Sequence, residues 1–152
     1  MEFRADKLNI GYGNDKIVFG EISFCAKEGE MIALLGVNGI GKSTLLRTIS
    51  GLQKNVSGSI FINEKELHEL PVQERAKLIS VVFTEKIFAD NISVKEFISL
   101  GRSPYTNWLG KMSDDDVEEV VKTISLMKIE KLQHKFFNEI SDGEKQKVLI
   151  AR

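Results

Sequence analysis

A glycine-rich octapeptide constrains the fold of this chain more than any other feature. Residues 36–43 read Gly-Val-Asn-Gly-Ile-Gly-Lys-Ser, which fits the pattern G-x-x-x-x-G-K-[ST]. The apolar run Met31 to Leu35 precedes it as a buried strand would, and Ser43 to Ser50 follows as a predicted helix. This order predicts a loop that binds phosphate groups with backbone N–H groups and a helix N-terminus. The predicted contacts are Gly36, Val37, Asn38, Gly39, Ile40, Gly41, Lys42, Ser43 and Thr44.

Two side chains of the loop add specific chemistry. Lys42 brings a positive charge to the phosphates, and the Ser43 hydroxyl can bind Mg²⁺. The pattern alone leaves the nucleotide open, because GTPases, kinases, helicases and transport ATPases share it. A GTPase is disfavoured because the guanine-reading pattern Asn-Lys-x-Asp is missing, and Asn63-Glu64-Lys65 does not replace it.

Composition excludes several classes of protein. The chain has 152 residues, 42% of them apolar, which suffices for one core of ordinary size or for two small lobes. The net charge of −1 gives no global attraction to nucleic acid, and no nucleic-acid partner is expected. A signal peptide and an apolar stretch of about 18 residues are both missing, so a cytoplasmic protein is expected. Cys25 is expected to be a small buried hydrophobe in the predicted strand 21–26.

The first part of the chain, residues 1–86, is predicted to form a nucleotide-binding core with an N-terminal antiparallel β layer. Apolar and polar residues alternate over the first thirty positions, and Gly58 opens another predicted strand at 59–63. A short helix is expected around 72–77. The β-branched run Leu78 to Phe83, bounded by charged residues, predicts a fully buried parallel strand.

Helical periodicity takes over after residue 84, and residues 87–139 are predicted to be an α-helical subdomain. Ser93 with Glu96 forms a capping-box pattern, and Ser113 precedes three aspartates that suit the first turn of a helix. Val117, Val120, Val121, Ile124 and Met127 then recur at helical spacing and predict one buried face.

A second capping box, Ser141 with Glu144, opens the last segment, residues 140–152. Here the sequence resembles the ATP-binding-cassette (ABC) family, whose signature loop usually reads Leu-Ser-Gly-Gly-Gln. At the corresponding place, residues 140–144, this chain has Ile-Ser-Asp-Gly-Glu, which is called the signature segment below. The phosphate loop in the form Gly-x-Asn-Gly-x-Gly-Lys-Ser-Thr is also similar to that family. The resemblance covers residues 3–152 and implies an α/β fold, a P-loop NTPase of the ABC type, with a partial parallel core sheet and an α-helical subdomain.

The resemblance implies an ATPase that binds ATP and Mg²⁺ and works as a head-to-tail homodimer. The signature loop of one subunit then contacts the γ-phosphate held by the other, through Ser141, Asp142, Gly143 and Glu144. Tyr12 falls where the family often carries an aromatic residue that stacks on adenine, although closing a β-turn is an alternative role for it.

The sequence departs from the family at two positions. Thr84-Glu85 stands where a glutamine normally contacts Mg²⁺ and the attacking water, so either residue is a candidate metal ligand. Asp142 replaces a common glycine, and its carboxylate would meet a triphosphate. Two like charges at ~4 Å cost about 4 kcal/mol at an effective dielectric constant near 20. The side chain of Asp142 is therefore expected to point away or to be paired.

The family's Walker B motif, with its metal-binding aspartate and catalytic glutamate, and its switch histidine have no counterpart up to Arg152. The sequence is therefore expected to be the N-terminal part of a longer cassette, able at most to bind nucleotide and to hydrolyse ATP negligibly by itself.

Residues 100–108, Leu-Gly-Arg-Ser-Pro-Tyr-Thr-Asn-Trp, look like ATPases that serve iron-siderophore, haem or cobalamin uptake. The resemblance implies a peripheral subunit on the cytoplasmic face of the cell membrane, bound to a permease around residues 84–91 and 102–108. The alternative is a soluble cassette protein of DNA repair or translation, although the heptads or paired cassettes usual there are absent from this sequence.

Overall fold

A computed structural model describes residues 1–13, 16–83, 87–106 and 109–152. The chain forms two compact units, Met1–Ser80 and Val81–Arg152, which are called unit 1 and unit 2 below. The division of the sequence at residues 86 and 139 stays a prediction. Among the described residues, none of the helices is both long and apolar enough to cross a membrane.

The described residues of unit 1 form an antiparallel sheet of four strands, β1 (Glu2–Tyr12), β2 (Lys16–Lys27), β3 (Ser57–Ile62) and β4 (Lys65–Glu66). Their order in the sheet is β2-β1-β3-β4. The long central strand pairs with β2 on one side and with β3 on the other. This sheet confirms the predicted antiparallel layer.

Two helices accompany the sheet, α1 (Lys42–Ile49) and α2 (Val72–Leu78), close to the ranges that the sequence predicts. Leu45 of α1 packs into the core that the sheet provides, so the helix is anchored to the strands by burial of apolar surface. The buried apolar residues of this core are Ala5, Leu8, Ile10, Leu45, Ile60, Ile62 and Leu67.

The predicted strands at 31–35 and 78–83 are wrong as regards the described residues. Neither segment joins a sheet, and Met31 and Leu35 are 95% and 88% exposed. An apolar run becomes a parallel strand only when neighbouring strands accept its ladder hydrogen bonds, and the described residues offer no such neighbour. The partial parallel sheet is therefore not formed within these residues. Cys25 is also exposed, because it lies on the outer face of β2.

Unit 2 is helical and has its own core. Its helices are α3 (Val94–Ser99), α4 (Asp114–Leu126) and α5 (Asp142–Ala151), with short 3₁₀ turns at Leu100–Arg102, Glu130–Leu132 and Phe137–Glu139. The rings of Phe97 and Phe137 stack at the centre of the core, with centroids 4.4 Å apart. Of the predicted apolar face of α4, Val120 and Ile124 are buried, whereas Val121 is half exposed.

Candidate nucleotide-binding site

The glycine-rich loop of unit 1 is an irregular turn that leads directly into α1. Gly39 and Gly41 have φ angles of 82° and 108°, a conformation that side chains rarely adopt. A Cβ atom at Gly41 would also lie 3.0 Å from Cγ1 of Val18 in β2. Glycine at 41 is therefore required both by the turn and by the close approach of the loop to the sheet.

Lys42 closes this loop on itself. Its ammonium Nζ donates to the carbonyl oxygens of Gly36 and Val37, at 2.7 Å each. These two bonds keep the positive charge at the loop, while the side chain of Val37 remains exposed to solvent. The arrangement places a cation where the sequence predicts phosphate groups.

The first turn of α1 is suited to an anion. Its N-cap is Gly41, which has no side chain to cap the helix, and its first turn contains no acidic residue. The N–H groups of a first helical turn lack intrahelical partners and carry the positive end of the helix dipole. Ser43 is exposed in this turn, and Thr44 is buried.

Tyr12 lies at the end of β1 and contacts the same helix. Its hydroxyl shares a hydrogen bond of 3.1 Å with Oγ1 of Thr44. The tyrosine is 58% exposed, so much of its surface remains accessible to a ligand. The sequence did not predict this hydrogen bond, because no local pattern joins residues 32 positions apart.

The signature segment in unit 2 has the predicted capping box. Ser141 caps α5 and accepts a hydrogen bond from the backbone N–H of Glu144, while the Glu144 carboxylate accepts from the Ser141 N–H and hydroxyl at 2.8 and 2.7 Å. These bonds lower the pKa of Glu144 below its ordinary value, the bond from the Ser141 hydroxyl being the largest cause.

Asp142, the unusual acid of this segment, points into solvent. Its side chain is 84% exposed and lies 3.8 Å from the ammonium of Lys145. The expectation that this carboxylate is directed away or paired is therefore confirmed for the chain by itself. An exposed ion pair at this distance contributes little to stability.

Gly143 has no steric reason to be glycine within the described chain. Its φ is not positive, and a Cβ atom there would meet nothing within 4 Å. Glycine is about 1 kcal/mol less favourable than alanine inside a helix. Open space on one side of an exposed glycine is what the approach of a ligand or of another chain requires.

The segment expected to contact a permease is partly engaged inside unit 2. The guanidinium of Arg102 donates from Nε and Nη2 to Oδ1 of Asp116, at 2.9 and 2.7 Å, and lies over the ring of Tyr105. Asp116 also receives the backbone N–H and hydroxyl of Ser113, and these bonds lower its pKa to about 2. A charge reversal at Arg102 would therefore disrupt unit 2 itself, so a loss of permease binding in such a variant could not be separated from a loss of folding.

Some residues singled out in the sequence analysis lie outside the described ones. They include Thr84 and Glu85, the candidate metal ligands, and Trp108 of the segment expected to contact a permease. Elsewhere in the described ranges, no three His, Cys, Asp or Glu side chains cluster in a way that could hold a metal ion. The assignment of individual residues as nucleotide or Mg²⁺ contacts stays a prediction.

Comparison with known families gives one match over most of the chain. Residues 19–152 match the family model described as ABC transporter. The matched range includes both the glycine-rich loop and the signature segment.

Two curated relatives match almost the whole chain. One, an uncharacterized ABC transporter ATP-binding protein of Methanocaldococcus jannaschii, is 37% identical over 149 residues, which are 98% of this chain and 51% of the relative. The other is the probable siderophore transport system ATP-binding protein YusV of Bacillus subtilis. It is 32% identical over an alignment that covers 97% of this chain and 53% of the length of YusV. The chain thus spans about half the length of these curated relatives.

A solved structure described as the ATP-binding subunit of an ABC transporter superimposes with a TM-score of 0.80 at 26% identity. The match covers 99% of this chain and 60% of that one. The described fold is therefore part of the fold of ABC ATP-binding domains, as the sequence predicts.

Proposed function

The chain belongs to the ABC transporter family, and we propose that it binds Mg²⁺-ATP as part of a transporter's ATP-binding subunit. The intact protein, in this proposal, hydrolyses ATP to drive the import of an iron chelate such as a siderophore. One observation carries the nucleotide-binding part of this proposal. The uncapped, acid-free first turn of α1 follows a loop that holds the ammonium of Lys42 at its carbonyl groups.

The residues of unit 1 have distinct roles in this proposal. The backbone of residues 36–41 and the first-turn N–H groups of α1 bind the phosphates, and Lys42 neutralises part of their charge. Ser43, exposed beside Lys42, offers its hydroxyl to Mg²⁺. The exposed ring of Tyr12 stacks on adenine. The bound Mg²⁺-ATP supplies a transferable γ-phosphoryl group.

The signature segment acts in trans in the same proposal. Two copies pair head to tail, and Ser141, Asp142, Gly143 and Glu144 of one face the nucleotide of the other. The open space beside Gly143 supports such an approach. Glu144 holds the Ser141 hydroxyl in a fixed orientation at the helix N-terminus, so a phosphate would meet an ordered turn.

The transport part of the proposal rests on similarity. YusV is named as a probable siderophore transport ATP-binding protein, and residues 100–108 resemble ATPases of that kind. The proposed partner is a membrane permease, and the proposed location is the cytoplasmic face of the cell membrane.

Nucleotide binding is tested by Lys42→Ala in the 152-residue chain, with calorimetric titration of Mg²⁺-ATP. Removal of the ammonium should weaken ATP binding about 10- to 100-fold, because hydrogen bonds to charged groups contribute about 1.5–3 kcal/mol. Lys54→Ala is the matched control, since Lys54 is an exposed lysine of the same unit outside the loop. Equal ATP affinity in both variants would exclude the loop as the site.

The transport role is tested in cells that produce the intact protein. Lys42→Ala in the full-length gene should abolish uptake of a labelled ferric siderophore that depends on that gene. Normal iron uptake combined with sensitivity to DNA damage, or with a translation defect, would instead favour the non-transport alternative.

A further inference from the structure

The end of β1 is attached to α1 and its C-terminal flank at two points. The Tyr12 hydroxyl is hydrogen bonded to Oγ1 of Thr44, and Nε2 of Gln53 donates to the backbone carbonyl of Gly11. Both contacts lie within unit 1. Gly11 is therefore held through its main-chain oxygen and Tyr12 through its hydroxyl, by partners that lie 42 and 32 residues away in sequence.

The two partners of the hydroxyl bond differ in burial. Thr44 is 5% exposed, and Tyr12 is 58% exposed. Thr44 is fixed by the helix in which it lies, and its carbonyl accepts the hydroxyl of Thr48 at 2.8 Å one turn later. The tip of the tyrosine is thus bonded to a buried group of the helix while much of the residue stays open to solvent.

We propose that Thr44 and Gln53 are positioning residues, which hold the ring of Tyr12 in the orientation that receives the base of the nucleotide. This inference rests on the proposed function. An aromatic ring that is already fixed at its backbone and at its hydroxyl loses little rotamer freedom when a base stacks on it. Part of the affinity for ATP, but not for its phosphates alone, therefore depends on the two hydrogen bonds.

This assignment gives the Thr44 side chain a different role from the rest of the loop. Its backbone N–H belongs to the first turn of α1 and remains available to a phosphate. Its hydroxyl serves Tyr12. Gln53, which no sequence pattern singles out, acts through the main chain of the neighbouring residue.

The test compares two ligands, Mg²⁺-ATP and Mg²⁺-tripolyphosphate, by calorimetric titration of the 152-residue chain. Tyr12→Phe keeps the ring and removes the hydroxyl, and Thr44→Val removes the other half of the same bond. Each should weaken ATP binding about three- to tenfold, the range of one neutral hydrogen bond. Tyr12→Phe, which keeps the Thr44 hydroxyl, should also leave tripolyphosphate binding unchanged. The double variant should bind ATP no more weakly than either single variant, because the two substitutions remove one interaction.

Three further variants sharpen the comparison. Thr44→Ser retains the hydroxyl and should keep the native affinity for ATP. Gln53→Met, which removes the donor at similar length, should weaken ATP binding but not tripolyphosphate binding. Ser50→Ala removes a hydroxyl that donates to the Arg47 carbonyl at the opposite end of α1, and should alter neither affinity. The thermal midpoint of each ligand-free variant shows that it folds.

Several results would overturn the inference while leaving the proposed function intact. One is a native affinity for ATP in Tyr12→Phe, and another is additive loss in the double variant. A parallel loss of tripolyphosphate affinity in Tyr12→Phe would mean that the bond supports the phosphate loop and not the ring. Tighter ATP binding in Tyr12→Phe would mean that the bond obstructs the site. A native chain that binds neither ligand overturns the proposed function, and this inference with it.

Discussion

The helices of the two units begin in different ways. In unit 2, α3, α4 and α5 each start after a serine whose hydroxyl accepts from the N–H three residues later, while the acid at that position bonds back. In unit 1, α1 and α2 start at Gly41 and Pro71 with no side-chain cap. A capped terminus has satisfied its own donors, whereas an uncapped one leaves them for water or a ligand.

The range of the stabilising contacts differs as well. The capping boxes of unit 2 join residues three positions apart, whereas the sheet of unit 1 depends on contacts such as that of the Glu2 N–H with Asn63, 61 positions away. The starts of the unit 2 helices are therefore specified by local sequence, and the sheet of unit 1 by distant pairing. Unit 1 also exposes the apolar segment 31–35, while the centre of unit 2 is closed.

The largest expected effect tests whether unit 2 has a closed core. Phe137→Ala should lower the free energy of unfolding by about 3–5 kcal/mol, because Phe137 is 1% exposed and stacks on Phe97. Urea unfolding followed by circular dichroism measures the loss. Phe136→Ala is the control: Phe136, the neighbour of Phe137 in sequence, is 44% exposed, so its truncation should cost far less. Equal losses in the two variants would contradict the proposed difference in packing.

The second prediction concerns acid and the carboxylate of Asp116, which accepts hydrogen bonds from Ser113 and from Arg102. The pKa of Asp116 is lowered from 3.8 to about 2, so its ionised form stabilises the fold above about pH 4, and that contribution is lost as the pH falls toward 2. Asp116→Asn should be less stable than the native chain at pH 6, and the difference should shrink at pH 2.5.

Urea midpoints at the two pH values measure this effect. Asp114→Asn, an exposed position in the same helical turn, is the control and should follow the native chain at both. A difference between Asp116→Asn and the native chain that stays constant with pH would exclude the ionised carboxylate as its cause.

A smaller effect is expected from removal of a cap. Ser93→Ala should lower the stability of the chain by about 1 kcal/mol, because it leaves the N–H of Glu96 without its acceptor. Ser125→Ala, a hydroxyl loss on the exposed surface of α4, should stay within about 0.5 kcal/mol of the native chain. Urea unfolding of the native chain and of the two variants measures the difference. Equal midpoints for Ser93→Ala and Ser125→Ala would show that the cap does not stabilise unit 2.

The smallest expected effect is in the exposed apolar segment. Leu35→Ser should change the free energy of unfolding by no more than about 0.5 kcal/mol, because Leu35 is 88% exposed and leaves little apolar contact to lose. The same urea measurement applies, with Leu45→Ser as the buried counterpart from α1. A loss of several kcal/mol at Leu35 would show that segment 31–35 is packed in solution and would erase the contrast between the units.

Local chemistry made much of this fold predictable. The serine caps at 93 and 141 were readable because a cap and its acid lie three residues apart. The start of α4 was readable from the three aspartates after Ser113, and α1 from the glycine-rich pattern before it. The antiparallel layer followed from the alternation of apolar and polar residues over the first thirty positions. In each case the signal and the structure share the same short stretch of chain.

The predictions that failed, and the contacts that were missed, all depend on residues that are distant in sequence. The apolar runs at 31–35 and 78–83 have the composition of buried strands, but composition cannot supply the neighbour that would accept their hydrogen bonds. The bonds of Tyr12 to Thr44 and of Arg102 to Asp116 were equally invisible, since each joins residues of different elements. The order of motifs indicated a phosphate-binding loop, whereas the contacts around that loop could be seen only in the three-dimensional structure.

The empty surroundings of Gly143 have a practical use. A cysteine introduced there would find room for a nitroxide or a fluorophore without displacing any described atom of its own chain. With Cys25 replaced by serine, that label would be the single probe on the molecule, since the sequence has one cysteine. Quenching of its signal on addition of ATP would then report, in real time, the arrival of whatever surface approaches this turn.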